Sequence, residues 1–192
     1  MKTTIIIDHP WKGSYNHAIL NSLKKKLEKN NSDYNVIDLC KDNFNPMMQI
    51  EELEHYQSGE IFDPLVKEYV NIIRKTDQVI FIFPIWWYSS PAGLKGFFDK
   101  VFLNKVAFYD DGDGVKPLLN IKKTMIFTTS EQSAEGIYEH GNDCFRNQIK
   151  TTLSDVGFQD IEWMHLGSVS SITNEERVDF LNLAAEKTTL RI

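Results

Sequence analysis

The chain has 192 residues, 42% of them apolar and 25% charged, with a formal net charge of −6. That length suits one domain with a single core, and the acidic balance argues against nucleic acid as a partner. No run reaches the ~18 apolar residues that cross a bilayer, and the three isoleucines before Asp8 are too few for a signal-peptide core. Cys40 and Cys144 lie far apart and outside any CxxC pattern, so free thiols and a cytoplasmic location are expected.

In chain order, strand and helix patterns alternate. Thr3 to Asp8 is a β-branched run and reads as a strand. Asn16 to Lys29 places Ile19, Leu20, Leu23 and Leu27 on one helical face with lysines opposite. Tyr34 to Leu39 alternates like an edge strand, and Asp42 to Gly59 is polar with a glutamate-rich helical piece. Pro64 suits the first turn of a helix running to Arg74. Val79 to Phe83 is apolar on both faces, as in a strand covered from both sides. Pro91 opens a helix whose stripe is Leu94, Phe97, Phe98, Val101 and Phe102. Thr124 to Thr129 reads as a fourth strand, Cys144 to Val156 as a helix and Ile161 to Leu166 as a last strand. Asn174 to Lys187 reads as a final helix, with Asn174 as its cap and Glu175 and Glu176 in its first turn.

This alternation predicts an α/β fold, a parallel sheet with helices on both faces and right-handed crossovers. Five strands favour the flavodoxin-like order 2-1-3-4-5 over the six-stranded dinucleotide order, and the first turn, DHPWKGSYN, lacks GxGxxG. No repeat, low-complexity tract or linker divides the chain, so residues 1–192 are read as one domain.

Ligands of such sheets bind beyond the carboxyl ends of the strands, where strand order reverses. Three loops should form that rim. The first, His9 to Asn16, ends at a helix N-terminus, where free N–H groups and the helix dipole suit a phosphate; plain capping by Ser14 or Asn16 fits as well. In the second, Pro84 should end the strand's pairing and leave the amides of Ile85, Trp86, Trp87 and Tyr88 without ladder partners. A planar heteroaromatic ring would satisfy them and stack on an indole; an aromatic satellite core or a protein interface is the alternative. The third loop, Thr128-Thr129-Ser130-Glu131-Gln132-Ser133, is rich in hydroxyls and suits either the far edge of such a ring or a simple polar turn.

With these residues in view, the sequence resembles the NAD(P)H:quinone oxidoreductases of flavodoxin-like fold, including small bacterial reductases and the ancillary subunits of potassium-efflux systems. His9, Ser14 and Asn16 fit the family's H-x4-S-x-N loop, and the stretch FPIWWYSSPAGLKGFFDKVF follows its long central motif almost position for position. Thr128-Thr129 and the later His140-Gly141-Asn142 fit the family's Thr-Thr loop and His-Gly pair. The resemblance covers the chain to just past residue 140, and the last fifty residues fit in strand–helix pattern alone.

The resemblance implies a three-layer sandwich and a non-covalent flavin, FMN rather than FAD in so short a chain. Ser14, Tyr15 and Asn16 would hold its phosphate, with His9 of the same loop also a cofactor-binding residue. Pro84, Ile85, Trp86, Trp87 and Tyr88, with Thr128, Thr129, Ser130 and Glu131, would hold its ring. It implies a homodimer in which Phe108 overhangs the neighbour's site, and NAD(P)H followed by a quinone or another flat acceptor over the ring beside Trp87. His140 is the expected proton-transfer residue, with Tyr138 the nearest counterpart of the family's tyrosine. Ser130-Glu131 stand where the family often has Gly-Gly; a carboxylate there either disfavours negative charge on the ring or points away. A regulatory subunit of a potassium-efflux transporter is the competing reading. Glu51 and His55 share a helix face, but one histidine makes a solvated acidic helix the better reading than a metal site.

Overall fold

The computed structural model describes residues 1–188. Five parallel strands form the central sheet: β1 (Thr3–Ile7), β2 (Tyr34–Asp38), β3 (Gln78–Pro84), β6 (Lys123–Thr129) and β7 (Ile161–Leu166). The remaining two, β4 (Phe108–Asp110) and β5 (Val115–Pro117), pair as an antiparallel hairpin apart from it. Numbered along the whole chain, the sheet order is 2-1-3-6-7 rather than 2-1-3-4-5, because that hairpin enters the count between the third and fourth sheet strands. The glycines at 112 and 114, both at positive φ, let the chain reverse there.

The strands alternate sides, and each face meets its own helices. Ile5, Ile7, Ile80, Ile82, Met125 and Phe127 pack with Ile19, Leu23 and Leu27 of α1 (Tyr15–Lys29) and Ala184 of α7 (Asn174–Thr188). Ile6, Val79, Phe81, Phe83 and Ile126 face α3 (Pro64–Ile73), α4 (Ala92–Val101) and α6 (Cys144–Asp155). Burial on both faces is what a purely parallel sheet requires. Two short helices complete the set, α2 (Ile50–Glu54) and α5 (Ala134–Gly141). The sequence pattern placed only one helix between Thr129 and the last strand; α5 is the second, started by Ser133, whose hydroxyl accepts from the Gly136 N–H.

Two local expectations change. The cap of α7 is Thr173, not Asn174: Thr173 Oγ1 accepts from the Glu176 N–H, and the Glu176 carboxylate accepts from the Thr173 N–H, a reciprocal capping box. Pro84 does not end the pairing of β3, since it lies opposite Thr129 in the parallel register. The Ile85 N–H then continues the ladder to the Thr129 carbonyl at 2.8 Å.

Candidate active site

Parallel register brings the ends of β1, β3, β6 and β7 to one rim, and β1 is where strand order turns back. A cleft of about 1180 Å³ opens there. It is lined by the loop after β1 (His9, Trp11, Gly13, Ser14 and the start of α1), the loop after β3 (Pro84 to Tyr88) and the loop after β6 (Thr129 to Gln132).

The first end is a helix terminus. Ser14 caps α1, its hydroxyl accepting from the His17 N–H. The N–H groups of Gly13, Tyr15 and Asn16 take no partner among the described residues, leaving donors and the positive end of the helix dipole facing the cleft. Asn16 is 2% exposed; its amide nitrogen donates to Thr129 Oγ1 at 2.9 Å, while its carbonyl oxygen has no partner among the described residues. A buried unpaired acceptor in a cleft wall asks for a ligand donor. The Tyr15 hydroxyl is already engaged: it donates to the Arg177 carbonyl, and burial pushes its pKa up to about 12. His9 accepts from the Trp11 N–H at Nδ1, so a neutral ring carries its proton on Nε2; burial and then the adjacent His17 hold its pKa below the ordinary value.

The second end is a strained turn. Trp86 and Ser89 exchange both backbone hydrogen bonds at 3.0 Å, which makes Trp87 and Tyr88 the two central residues of a tight hairpin turn. Both have positive φ, 49° and 58°, a conformation that usually calls for Asn-Gly. Two bulky aromatics held there store strain, of the kind that gathers at functional sites. The turn leaves the Trp87 indole 96% exposed. Within this turn the Trp87 and Tyr88 amides have no partner among the described residues, whereas Ile85 and Trp86 have found theirs. Trp86 meets the His9 ring edge-on at 6.0 Å, joining the two ends.

The third wall follows from strand alternation. Thr129 faces α1 and reaches Asn16, so Thr128 faces the opposite side, where it meets Trp163 and His165 and does not line the cleft. Glu131 does line it, and its carboxylate accepts from the Ser170 hydroxyl at 2.7 Å.

A family model described as flavodoxin-like fold matches residues 1–187. The chain belongs to that family. It is 31% identical over 170 residues, 88% of this chain and 84% of the relative, to an uncharacterized NAD(P)H oxidoreductase of Escherichia coli strain K12. It is 28% identical over 143 residues, 71% of this chain and 69% of the relative, to an FMN-dependent NADH:quinone oxidoreductase of Lachnoclostridium phytofermentans. The solved structure of an NAD(P)H:quinone oxidoreductase from Methanothermobacter marburgensis matches at a TM-score of 0.85 and 25% identity, covering 98% of this chain and 97% of that one. The resemblance seen in the sequence, to NAD(P)H:quinone oxidoreductases on a flavodoxin-like fold, is thus shown.

Within this family framework, the structure brings together His9, Ser14, Tyr15, Asn16, Pro84, Ile85, Trp86, Trp87, Tyr88, Thr129, Ser130 and Glu131 around the cleft. His140 and Tyr138 are not among its lining residues. His140 is exposed and bonded to the Gly136 carbonyl of its own helix. Tyr138 lines a small adjoining pocket with Tyr88 and Ile137 and lies under the Arg146 guanidinium at 4.4 Å. Phe108 sits on the hairpin in a separate groove beside Phe98 and Phe102. Sequence reasoning missed a fourth wall, Val169, Ser170 and Arg177. The Gly-Ser-Val-Ser-Ser run after the last strand was its signal, since β7 ends at the same rim.

Proposed function

We propose that the chain is a flavin-dependent NAD(P)H oxidoreductase that reduces quinones or similarly flat acceptors by two electrons. One observation carries this reading. The cleft holds unpaired N–H donors and an unpaired buried Asn16 oxygen at a helix N-terminus, and faces a strained aromatic turn with free amides at its other end. Those features fit a phosphate at one end and a planar ring with carbonyl and nitrogen acceptors at the other.

Flavin, when bound, supplies hydride acceptance and hydride donation, which is the cofactor's own chemistry. Ser14, with the amides of Tyr15 and Asn16, would hold the phosphate. The Trp87 and Tyr88 amides, with those of Glu131 and Gln132, would hold the ring edges and stand ready for negative charge there. His9, neutral, would offer its Nε2–H. Tyr88 and Trp87 would cover the open side, excluding water and presenting flat apolar surface to donor and acceptor in turn. One place used twice gives ping-pong kinetics. Because His140 and Tyr138 lie outside the cleft, proton delivery falls to groups that do line it or to solvent. FMN would need the ring and phosphate ends alone; Ser170 and Arg177 line the same cleft and would be available to the longer tail of FAD. A homodimer would bring Phe108 of a second copy to this cleft.

The absorption spectrum of the purified protein tests the reading. Flavin bands that bleach on adding NAD(P)H and return on adding a quinone are expected, with parallel double-reciprocal plots in steady state. Extraction and chromatography then decide between FMN and FAD. A colourless protein that takes up neither flavin on reconstitution overturns the proposal.

A further inference from the structure

Behind the ring end of the cleft lies a partly buried chain of hydrogen bonds that the proposed chemistry does not use. Trp163 and His165 alternate onto the same face of β7, and the parallel register sets His165 opposite Thr128 of β6. The Trp163 Nε1–H donates to Thr128 Oγ1 at 2.8 Å. His165 Nδ1 lies 2.9 Å from that same oxygen, and His165 Nε2 lies 3.0 Å from Ser130 Oγ. The Ser130 hydroxyl donates to the Gln132 carbonyl at 2.7 Å.

These distances fix where the protons are. An indole N–H only donates and a carbonyl only accepts. Thr128 therefore accepts from Trp163 and gives its hydrogen to His165 Nδ1. Ser130 gives its hydrogen to Gln132, so its oxygen accepts from His165 Nε2–H. Every link is satisfied by one state, a neutral imidazole protonated on Nε2. A second proton on Nδ1 takes away the acceptor of the Thr128 hydrogen, so that hydroxyl must rotate and break the present arrangement.

Ser130 is also the hinge of the cleft wall. Its N–H donates to the Leu166 carbonyl and its carbonyl accepts from the Val169 N–H, both at 3.0 Å, while the Ser168 N–H donates to the Gln132 carbonyl at 3.1 Å. The N–H groups of Glu131 and Gln132 keep no partner among the described residues and are available to a ligand. We propose that His165 is a positioning residue: its neutral imidazole, wedged between Thr128 and Ser130, orders the 129–132 loop at the ring end, and its protonation loosens that loop and weakens flavin binding. This rests on the flavin reading above.

The surroundings favour the neutral form. Burial, and then the positive charge of Arg146, hold His165 down to about 4, against an ordinary value of 6.5. The groups facing it are Tyr138 of α5, whose ring is 6.3 Å away, and Arg146 of α6, itself paired with Asp143. Among the described residues no carboxylate bonds to the imidazole; the Thr128 backbone favours a second proton, and burial outweighs it. Because the folded value lies below the ordinary one, the neutral arrangement is at full strength above the ordinary range and is lost as pH falls through about 4.

The test is the FMN dissociation constant of the loaded full chain, read by fluorescence on dilution between pH 7.5 and 3.5. His165→Gln keeps one acceptor for Thr128 and one donor for Ser130 and cannot titrate, so it should bind within about threefold of the parent at pH 7.5. Titration of the FMN phosphate is common to both and cancels in their ratio. The parent should weaken relative to His165→Gln by about twofold at pH 4 and about fourfold at pH 3.5. His165→Leu, or Ser130→Ala if that variant does not fold, should bind more weakly at every pH and without this extra pH dependence. A constant ratio of parent to His165→Gln across the range overturns the inference while leaving the flavin reading intact; a parent that binds no flavin overturns both. Imidazole nitrogen shifts in the flavin-free chain give an independent readout. They should show the Nε2–H tautomer at pH 7, and a charged or Nδ1–H ring there refutes the proposal.

Discussion

Lys100 lies in the Asp-Lys-Val-Phe end of the long central motif, yet it points away from the cleft. Its side chain is 2% exposed, and its ammonium sits 3.1 Å from Glu52 Oε1, 3.2 Å from Asp63 Oδ2 and 3.1 Å from the Asn45 carbonyl, with the Phe44 ring centroid at 5.5 Å. All of these partners come from the 44–63 stretch, whose α2 and following 3-10 turn bury no residue of their own. Lys100→Met keeps most of the buried stem and removes the charge. Stripping one partner from a buried ion pair costs about 3–5 kcal/mol. Glu52 and Asp63 retain 13% and 25% exposure and can turn toward water, which lowers the expected loss to roughly 2–3 kcal/mol. For a chain of this length that is a fall in Tm of about 5–10 °C. Urea unfolding checks it: the midpoint should drop with an unchanged slope, and adding Glu52→Gln should recover part of the loss by removing one stranded carboxylate. FMN affinity of the folded variant should match the parent. A loss below about 0.5 kcal/mol would show the cluster to be no better than a solvated surface pair, and the reasoning would be refuted.

Three other outcomes follow from the site. Asn16→Ala together with Ser14→Ala should weaken FMN binding at least tenfold, about 1.4 kcal/mol or more, because a buried charge-facing amide and a cap are both lost; fluorescence titration measures it, and an unchanged affinity would detach the helix terminus from the phosphate. Gly93→Ala would place a methyl group 2.5 Å from Asp8 Oδ2, which accepts from the Leu94 N–H at 2.6 Å. Displacing that buried carboxylate should cost about 1–3 kcal/mol in urea unfolding and, since Asp8 precedes His9, weaken FMN binding too. Trp87→Gly should stabilise the fold by about 1 kcal/mol, because glycine relieves the positive φ and the exposed indole packs on nothing that folding needs, while lowering turnover with quinone.

The fold was legible because each face of the sheet writes its own period. Ile5 and Ile7 belong to one face and Ile6 to the other, and α1 answers with Ile19, Leu23 and Leu27 on one stripe. What the sequence hid were features set by partners distant along the chain. Nothing local in Thr128-Thr129 says which hydroxyl enters the cleft; that depends on the side of the sheet α1 occupies. His165 looks like an ordinary strand residue until the register sets it beside Thr128. The β4–β5 hairpin is too short for a visible alternation, although Asp-Asp-Gly-Asp-Gly marked its turn. The amides after Pro84 were half right as a prediction. Ile85 and Trp86 found partners in β6 and Ser89, and the unpaired donors are those of Trp87 and Tyr88, which only the turn geometry reveals.

The two ends of the cleft are held by different physics, and Glu131 shows why this matters. The helix end is rigid: α1 packs on a buried face of the sheet, so its free amides need no ligand to stay in place. The ring end is a strained turn opposite a loop, and its geometry depends on ties to neighbours. Ile85 ties the turn to Thr129; His165 and Leu166 tie the loop through Ser130; Ser170 ties the Glu131 carboxylate to the wall after β7. Where Gly-Gly would leave the loop free to move, Ser130-Glu131 add two side-chain anchors. The same substitution brings a negative charge to the cleft wall. A carboxylate there opposes negative charge on any ring it faces, by Coulomb repulsion strengthened as water is excluded. In Glu131 one side chain is both anchor and charge, so a change that removes the charge also frees that tie to Ser170, whereas Ser130 anchors the loop without charge.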